Sequence, residues 1–197
     1  IPEDRQGGAY INNMQVGPDG DLWIIENVNT YYYDLPEGFD PMTGDMWQYY
    51  TEDQNVTLAR KLASDGTEVA SFDLSAIAAE IDGAGEDMSY YIYNVCLDQA
   101  GNLYFYFYGQ AGTLAVLSPE GQVLMTLEDD DIGGNMVRLN DGRVAVMCYG
   151  ENMAMRPVDL ENKGWGEDLT MPADYYNFFS GSGEYLYYYS TSSSVMG

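Results

Sequence analysis

No histidine occurs among the 197 residues. That absence removes the commonest general base, the commonest metal ligand and every Ser-His-Asp arrangement. Cations are scarce as well: 7 Lys and Arg stand against 32 Asp and Glu, a formal net charge of −25. A surface so poor in cations cannot neutralise phosphates, so neither nucleic-acid binding nor attraction to an anionic membrane is expected. A solvated acidic shell is the plain reading of the surplus; a cationic ligand or a metal ion is the alternative. No apolar run reaches the length of about 18 residues that a membrane-spanning helix needs, and no membrane insertion is expected. The start at Ile1-Pro2-Glu3-Asp4 carries no signal or lipid-attachment pattern. It is expected to be a cut within a longer secreted or cell-surface protein whose signal lies elsewhere. Only 2 cysteines are present, Cys96 and Cys148, each inside an apolar run. Two buried free thiols are the expectation and a single disulfide the alternative.

Aromatic residues are abundant, with 19 Tyr and 6 Phe in a chain that is 46% hydrophobic. That composition supports one domain with a sizeable core rather than a disordered acidic segment. The stretch 16-VGPDGDLWIIE-26 places Asp-Gly between two apolar runs, the pattern of strand, tight turn and strand. The same pattern returns in 62-LASDGTEVASFDL-74, 97-LDQAGNLYFYFYG-109, 117-LSPEGQVLMTLE-128 and 138-RLNDGRVAVMCYG-150, and more weakly in 179-FSGSGEYLYYYS-190. Gly142 follows Gly101 by 41 residues, and Gly183 follows Gly142 by 41. Gly121 lies 20 residues after Gly101, so it belongs to a second hairpin of the same unit. A unit of about 40 residues with four strands is the signature of a β-propeller blade. Asparagines keep the register: Asn13, Asn94, Asn135 and Asn177 each precede an apolar marker residue (Leu22, Leu103, Val144, Leu186) by nine residues.

The expected fold is therefore all-β and β-propeller-like, with about 3.5 four-stranded antiparallel blades. Blade one spans about 10–74, blade two about 90–128, blade three about 133–171, and a partial blade about 173–197. An insert at 29–54, rich in Pro, Gly and Asp, reads as a long loop between the second and third strands of blade one. Segment 75–89 is the one plausible helix: Ile77 and Ile81 share a face, and Gly83 ends the run. Three and a half blades do not close a ring. They leave open edges, to be met by missing sequence or by self-association.

The motif 17-GPDGDLWIIE-26 resembles the "D-G-x-L-W" hairpin of streptogramin-lyase-type and NHL-like propellers. The Tyr-rich acidic strands and the 117-LSPEGQVL-124 hairpin are similar to the propeller region that precedes extracellular solute-binding domains in lipoproteins of gut Clostridia-type bacteria. The first resemblance implies a fold. The second implies a cell-surface binding module. Streptogramin lyases depend on histidine and a divalent metal, so the missing histidine speaks against that activity.

Four groups of residues are candidate sites. In a propeller the first strand of each blade lines the central channel, so Asn13, Asn94, Asn135 and Asn177 form a ring of amides able to hydrogen-bond a sugar or a peptide. The competing reading is that each amide ties one blade to the next. In the insert, Tyr31 to Tyr33, Trp47, Tyr49 and Tyr50 are candidate platforms for stacking on sugar rings or for burial in a protein partner, with Tyr32, Trp47 and Tyr49 named as the contact residues. The acidic stretches 19-DGD-21 and 128-EDDD-131 offer oxygen ligands for calcium, but neither carries the spacing of a calcium loop. No catalytic residue and no cofactor is expected. The overall expectation is a secreted or cell-surface binding module for a glycan, a peptide or an adjoining domain, with a carboxylate-based propeller hydrolase or lyase as the rival.

Overall fold

A computed structural model describes residues 6–83, 90–149, 153–170, 179–182 and 185–188. The described elements are strands, apart from one helix and one 3-10 turn at Met46–Tyr49. Strands β1 (Gln6–Val16), β2 (Leu22–Tyr33), β3 (Tyr50–Leu62) and β4 (Glu68–Asp73) form the first sheet, followed by helix α1 (Leu74–Asp82). Strands β5 (Ile92–Leu97), β6 (Leu103–Tyr108), β7 (Gly112–Leu117) and β8 (Val123–Glu128) form the second. The third contains β9 (Ile132–Arg138), β10 (Val144–Tyr149) and β11 (Met153–Asp159), and two short pieces, β12 (Gly164–Trp165) and β13 (Leu169–Thr170), both pair with β11. These pieces are a fourth strand broken at residues 166–168, where the Gly166 amide donates to the Pro157 carbonyl at 2.8 Å. Strands β14 (Phe179–Ser182) and β15 (Tyr185–Tyr188) pair separately. Every described pairing is antiparallel, and all but β11–β13 join consecutive strands; among the described residues no sheet closes on itself. The all-β expectation holds.

The hairpins share one geometry. In the turn Gly17–Asp21, the Gly17 amide donates to the Asp21 carbonyl and the Gly20 amide to the Gly17 carbonyl, at 2.8 and 3.1 Å. The same two bonds close the turns at 63–67, 98–102, 118–122 and 139–143. The fourth residue of each is a glycine with φ between 84° and 89°, a left-handed conformation that a side chain makes strained. Acidic or hydroxyl side chains finish the turns. Asp19, Asp65 and Asp141 each accept one backbone amide, whereas Asp98 and Ser118 each accept two. Four of the 32 acidic residues thus serve these turns.

The sheets stack face to face. Trp23, Ile25 and Ala59 of the first sheet, with Leu74 and Ala78 of α1, pack against Val95, Leu97, Leu103, Phe105 and Phe107 of the second. The opposite face of the second sheet carries Cys96, Tyr104, Tyr106, Leu114 and Val116, which pack against Met136, Val144, Val146 and Val158 of the third. This explains why 103-LYFYF-107 and 144-VAVMC-148 show no polar alternation: both faces of these strands are buried. Strand β8, at the edge of its sheet, shows mixed exposure. The first strands are neighbours: β1 lies beside β5, β5 beside β9, and β9 beside β14.

Helix α1 forms where the sequence places it. Asp73 caps it by accepting the Ala76 amide at 2.9 Å, and Gly83, at φ 65°, ends it. Asp82 then fixes the connection to the second sheet by accepting the Tyr90 hydroxyl at 2.9 Å and the Gln110 amide at 3.0 Å.

One expectation is corrected. Residues 29–54 are not a long loop: β2 continues to Tyr33 and β3 begins at Tyr50, so only residues 34–49 are irregular. The flanks of the segment are β-branched and aromatic residues, Thr30 to Tyr33 and Tyr50 to Thr51, which favour a pleated ribbon. Pro and Gly are confined to the middle, as is every Asp except Asp53.

Candidate functional site

The strand order sorts the loops onto two ends. Turns 17–21, 63–67, 98–102, 118–122 and 139–143 lie at one end. The β2–β3 ribbon, the β6–β7 turn and the β8–β9 connection lie at the other.

At the ribbon end, aromatic rings gather. Tyr31 and Tyr33 contact edge to face, with centroids 5.8 Å apart, and Tyr50 lies 5.4 Å from Tyr31 and 5.8 Å from Tyr33. Trp47 completes the group at 5.8 Å from Tyr50 and 6.4 Å from Tyr33. The local fold explains this. Tyr31 and Tyr33 are two apart on β2 and share a face, Tyr33 pairs with Tyr50 across the ribbon, and Asp45 caps the 3-10 turn that carries Trp47 by accepting its amide at 3.0 Å. Burial among these rings raises the Tyr50 phenol above its usual range, with the Glu52 carboxylate and the phenols of Tyr33, Tyr91 and Tyr31 adding to it. Trp47 remains 73% exposed. Tyr91, Tyr108 and Tyr149, also at this end, are exposed.

Of the predicted residues, Trp47 therefore belongs to the cluster. Tyr49 packs instead on Phe39, 5.2 Å away, and Tyr32 lies on the opposite face of β2 from Tyr31 and Tyr33. Pattern reading marked Tyr31, Tyr33 and Tyr50 among the insert aromatics but did not set them apart from Tyr32 and Tyr49 as the partners of Trp47. The period of two on β2 together with hairpin pairing could have found them.

The asparagines divide. Asn94 on β5 donates through Nδ2 to Asn135 Oδ1 on β9 at 3.2 Å, a bond between successive sheets. Asn13 and Asn94 each follow an irregularity in the ladder where an extra residue on the first strand bulges out, and Asn135 lies within the irregular stretch of β9 between Ile132 and Met136. Between β1 and β5 the tie is made by Gln15, not Asn13: Gln15 donates through Nε2 to the Val95 carbonyl at 2.5 Å and accepts the Leu97 amide through Oε1 at 3.1 Å. Gln15 had no recurrent counterpart in the sequence to mark it. Asn177 lies outside the described residues.

The acidic stretches are engaged by cations. Lys61 pairs with Asp19 and lies 3.3 Å from Asp21, above the Trp23 ring at 5.9 Å. Its hydrogen bond lowers the Asp19 carboxyl and raises the Lys61 ammonium. Arg156 pairs with Asp129 at 2.6 Å and Asp168 at 2.8 Å and covers Trp165 at 5.6 Å. Among the described residues, no group of three or more His, Cys, Asp or Glu side chains is arranged to hold a metal ion.

At the turn end, a cleft of about 350 Å³ lies between the second and third sheets, lined by Asp98, Tyr104, Asp141, Arg143, Asp159 and Glu161 among others. Three of its carboxylates have partners. Asp98, 5% exposed, accepts the Ala100 and Asn102 amides, Asn102 Nδ2 and the Tyr104 hydroxyl. Asp141 pairs with Arg143 at 2.6 Å, and Asp159 accepts the Asn162 amide and Nδ2. Hydrogen bonds from Arg143 and Asn162 lower the Asp141 and Asp159 carboxyls. Cys96 and Cys148 are free and buried, and burial pushes each thiol up to about 12.

Comparison with known proteins adds little to this geometry. No family model matches the chain, and no curated protein is similar to it. Among solved structures, a protein of unknown function from Bacteroides caccae is similar with a TM-score of 0.42 and 10% identity. The match covers 89% of this chain and 49% of that one, so the chain spans about half the length of that protein. A likeness of this degree assigns neither activity nor ligand.

Proposed function

We propose that the chain is a propeller-like binding module of a secreted or cell-surface protein, and that it recognises a glycan through the ribbon end. The observation that carries the reading is the Tyr31–Tyr33–Trp47–Tyr50 cluster, whose indole is open to solvent although the Tyr33 and Tyr50 rings hold it from one side. Rings held by one another give up little conformational freedom on binding, and an exposed indole face suits the C–H face of a sugar ring. Exposed Tyr91 and Tyr108 extend the aromatic surface, and acidic side chains on the ribbon can accept hydrogen bonds from sugar hydroxyls. Adjacent first strands, sheet-to-sheet amide ties and sheets packed on both faces support the propeller-like arrangement.

A glycosidase is the rival. It needs one carboxyl held protonated near neutral pH. The carboxyls with shifted ionisation among the described residues, Asp19, Asp65, Asp141 and Asp159, are all shifted downward, which favours the binding reading. The test is a glycan array probed with the chain and with Trp47→Ala. Binding to a defined set of glycans that the variant loses by at least about tenfold, roughly 1.4 kcal/mol, supports the proposal. Binding unchanged in the variant, or a blank array beside capture of a peptide ligand, refutes the glycan reading.

A further inference from the structure

We infer that the glycan taken at the ribbon end is cationic: a chain of amino sugars whose nitrogens are protonated rather than acetylated. The inference rests on the glycan reading above and names the class within it. The chain has 3 tryptophans, Trp23, Trp47 and Trp165. Two are covered by a cation that carboxylates hold in place. Lys61 stands over the Trp23 ring, 5.9 Å from its centroid, and pairs with Asp19 and Asp21. Arg156 stands over the Trp165 ring at 5.6 Å and pairs with Asp129 and Asp168. The indole face is negative and attracts the cation, and the carboxylates fix it there.

Trp47 has carboxylates beside it but, among the described residues, no cation upon it. Residues 34–49, which carry it, contain Asp34, Glu37, Asp40 and Asp45 and neither Lys nor Arg. All four acids are exposed. Asp45 accepts the Trp47 amide, and Asp34 follows Tyr33, its own amide bonded to the Tyr49 carbonyl across the ribbon. Two carboxylate residues thus adjoin the cluster, one at Trp47 and one at Tyr33. Asp40 and Asp45 accept hydrogen bonds from backbone amides and the Thr43 hydroxyl, neutral donors that leave the charge in place. Among the described residues none of the four is in an ion pair.

The rest of this end has the same sign. The stretch 128-EDDD-131 leads from β8 to β9 there, and Arg156 pairs with Asp129 alone of its four acids. The other described cations lie toward the opposite end: Arg60 and Lys61 beside the turn at 63–67, Arg138 and Arg143 at the turn 139–143, and Lys163 in the turn between β11 and β12. Arg5 lies outside the described residues. A glycan bearing carboxylate or sulfate groups would meet like charge at the ribbon. A neutral or N-acetylated one would stack on the indole and gain nothing from the charge. A protonated amino sugar offers a C–H face to the indole and an ammonium to the ring and the carboxylates beside it, the combination that Lys61 and Arg156 complete within the chain.

The test is titration calorimetry with three ligands of equal length: a chitosan oligomer, the same oligomer fully N-acetylated, and an oligouronate. The chitosan oligomer should bind at least about tenfold tighter than its N-acetylated form, and the uronate weakest of all. The preference should shrink in salt of about 1 M, where the screening length falls to about 3 Å. Asp34→Asn with Asp45→Asn should cut the preference at least about threefold. Asparagine keeps an acceptor for the Trp47 amide, so the cap on the 3-10 turn survives. Asp65→Asn with Glu120→Gln removes as much charge from the turn end and should leave the preference as it was. An N-acetylated or acidic oligomer that binds as tightly, and is lost in Trp47→Ala, overturns the cationic class while the glycan reading stands. A preference that the turn-end pair reduces as far as the ribbon pair reflects net charge alone and overturns it too. If none of the three binds, the cationic class falls, and the glycan array decides the glycan reading separately.

Discussion

Phe105→Ala tests the packing most severely. Phe105 is fully buried, sits on the face of the second sheet that meets the first, and stacks on Phe107 with centroids 5.9 Å apart. Across the strands it pairs with Val95 and Ala115, both buried. Sheets tied on both sides cannot collapse into the space a benzyl group leaves, so the loss combines transfer and cavity terms, about 3–5 kcal/mol. For a domain of this length that lowers Tm by roughly 6–20 °C. Scanning calorimetry on the variant and the parent measures it directly. Trp47→Ala, on an exposed ring, should move Tm far less. A Phe105→Ala variant melting within about 3 °C of the parent would refute the claim that the two sheets share a continuous core.

Three further outcomes follow from the same geometry. Gly142→Ala and Gly20→Ala both place a side chain in a left-handed conformation, costing about 1–2 kcal/mol. Gly142→Ala should be the worse because its Cβ would also stand 2.6 Å from Gln99 Oε1, whereas nothing lies near Gly20; urea midpoints compare them. Asp98→Ala removes the acceptor for two backbone amides and the Tyr104 hydroxyl, and should destabilise by about 2–4 kcal/mol in the same assay. The thiols should ignore Ellman's reagent in the native state and both react once unfolded. Their native values are raised, so the folded state holds protons the unfolded state releases, and stability should fall as pH rises from about 9 toward about 12. Thiols that titrate freely in the native protein at pH 8.5 would refute their burial.

What could be read from the chain followed physical constraint. The hairpins were legible because a turn with a left-handed fourth residue leaves glycine there, and all five stand where the sequence put them. Helix α1 was legible from the Ile77–Ile81 spacing and its glycine stop. The ribbon was misjudged because Pro36, Gly38, Pro41 and Gly44 dominate the segment by composition, although the aromatic residues flanking them pair as strands. The Asn94–Asn135 bond was half legible: the spacing marked both residues, but not whether they faced a ligand or each other. Gln15 was invisible, since a tie made once leaves no recurrence, and its partners are backbone groups that any residue supplies.

Everything above requires the first strands of successive sheets to be neighbours. The direct measurement is oxidative cross-linking of a chain carrying Asn94→Cys and Asn135→Cys, mapped by peptide mass spectrometry. Side chains that now touch at 3.2 Å should give an intrachain disulfide rapidly and in high yield, with Cys96 and Cys148 unmodified. A folded double variant that stays reduced, or that cross-links elsewhere, would contradict the account.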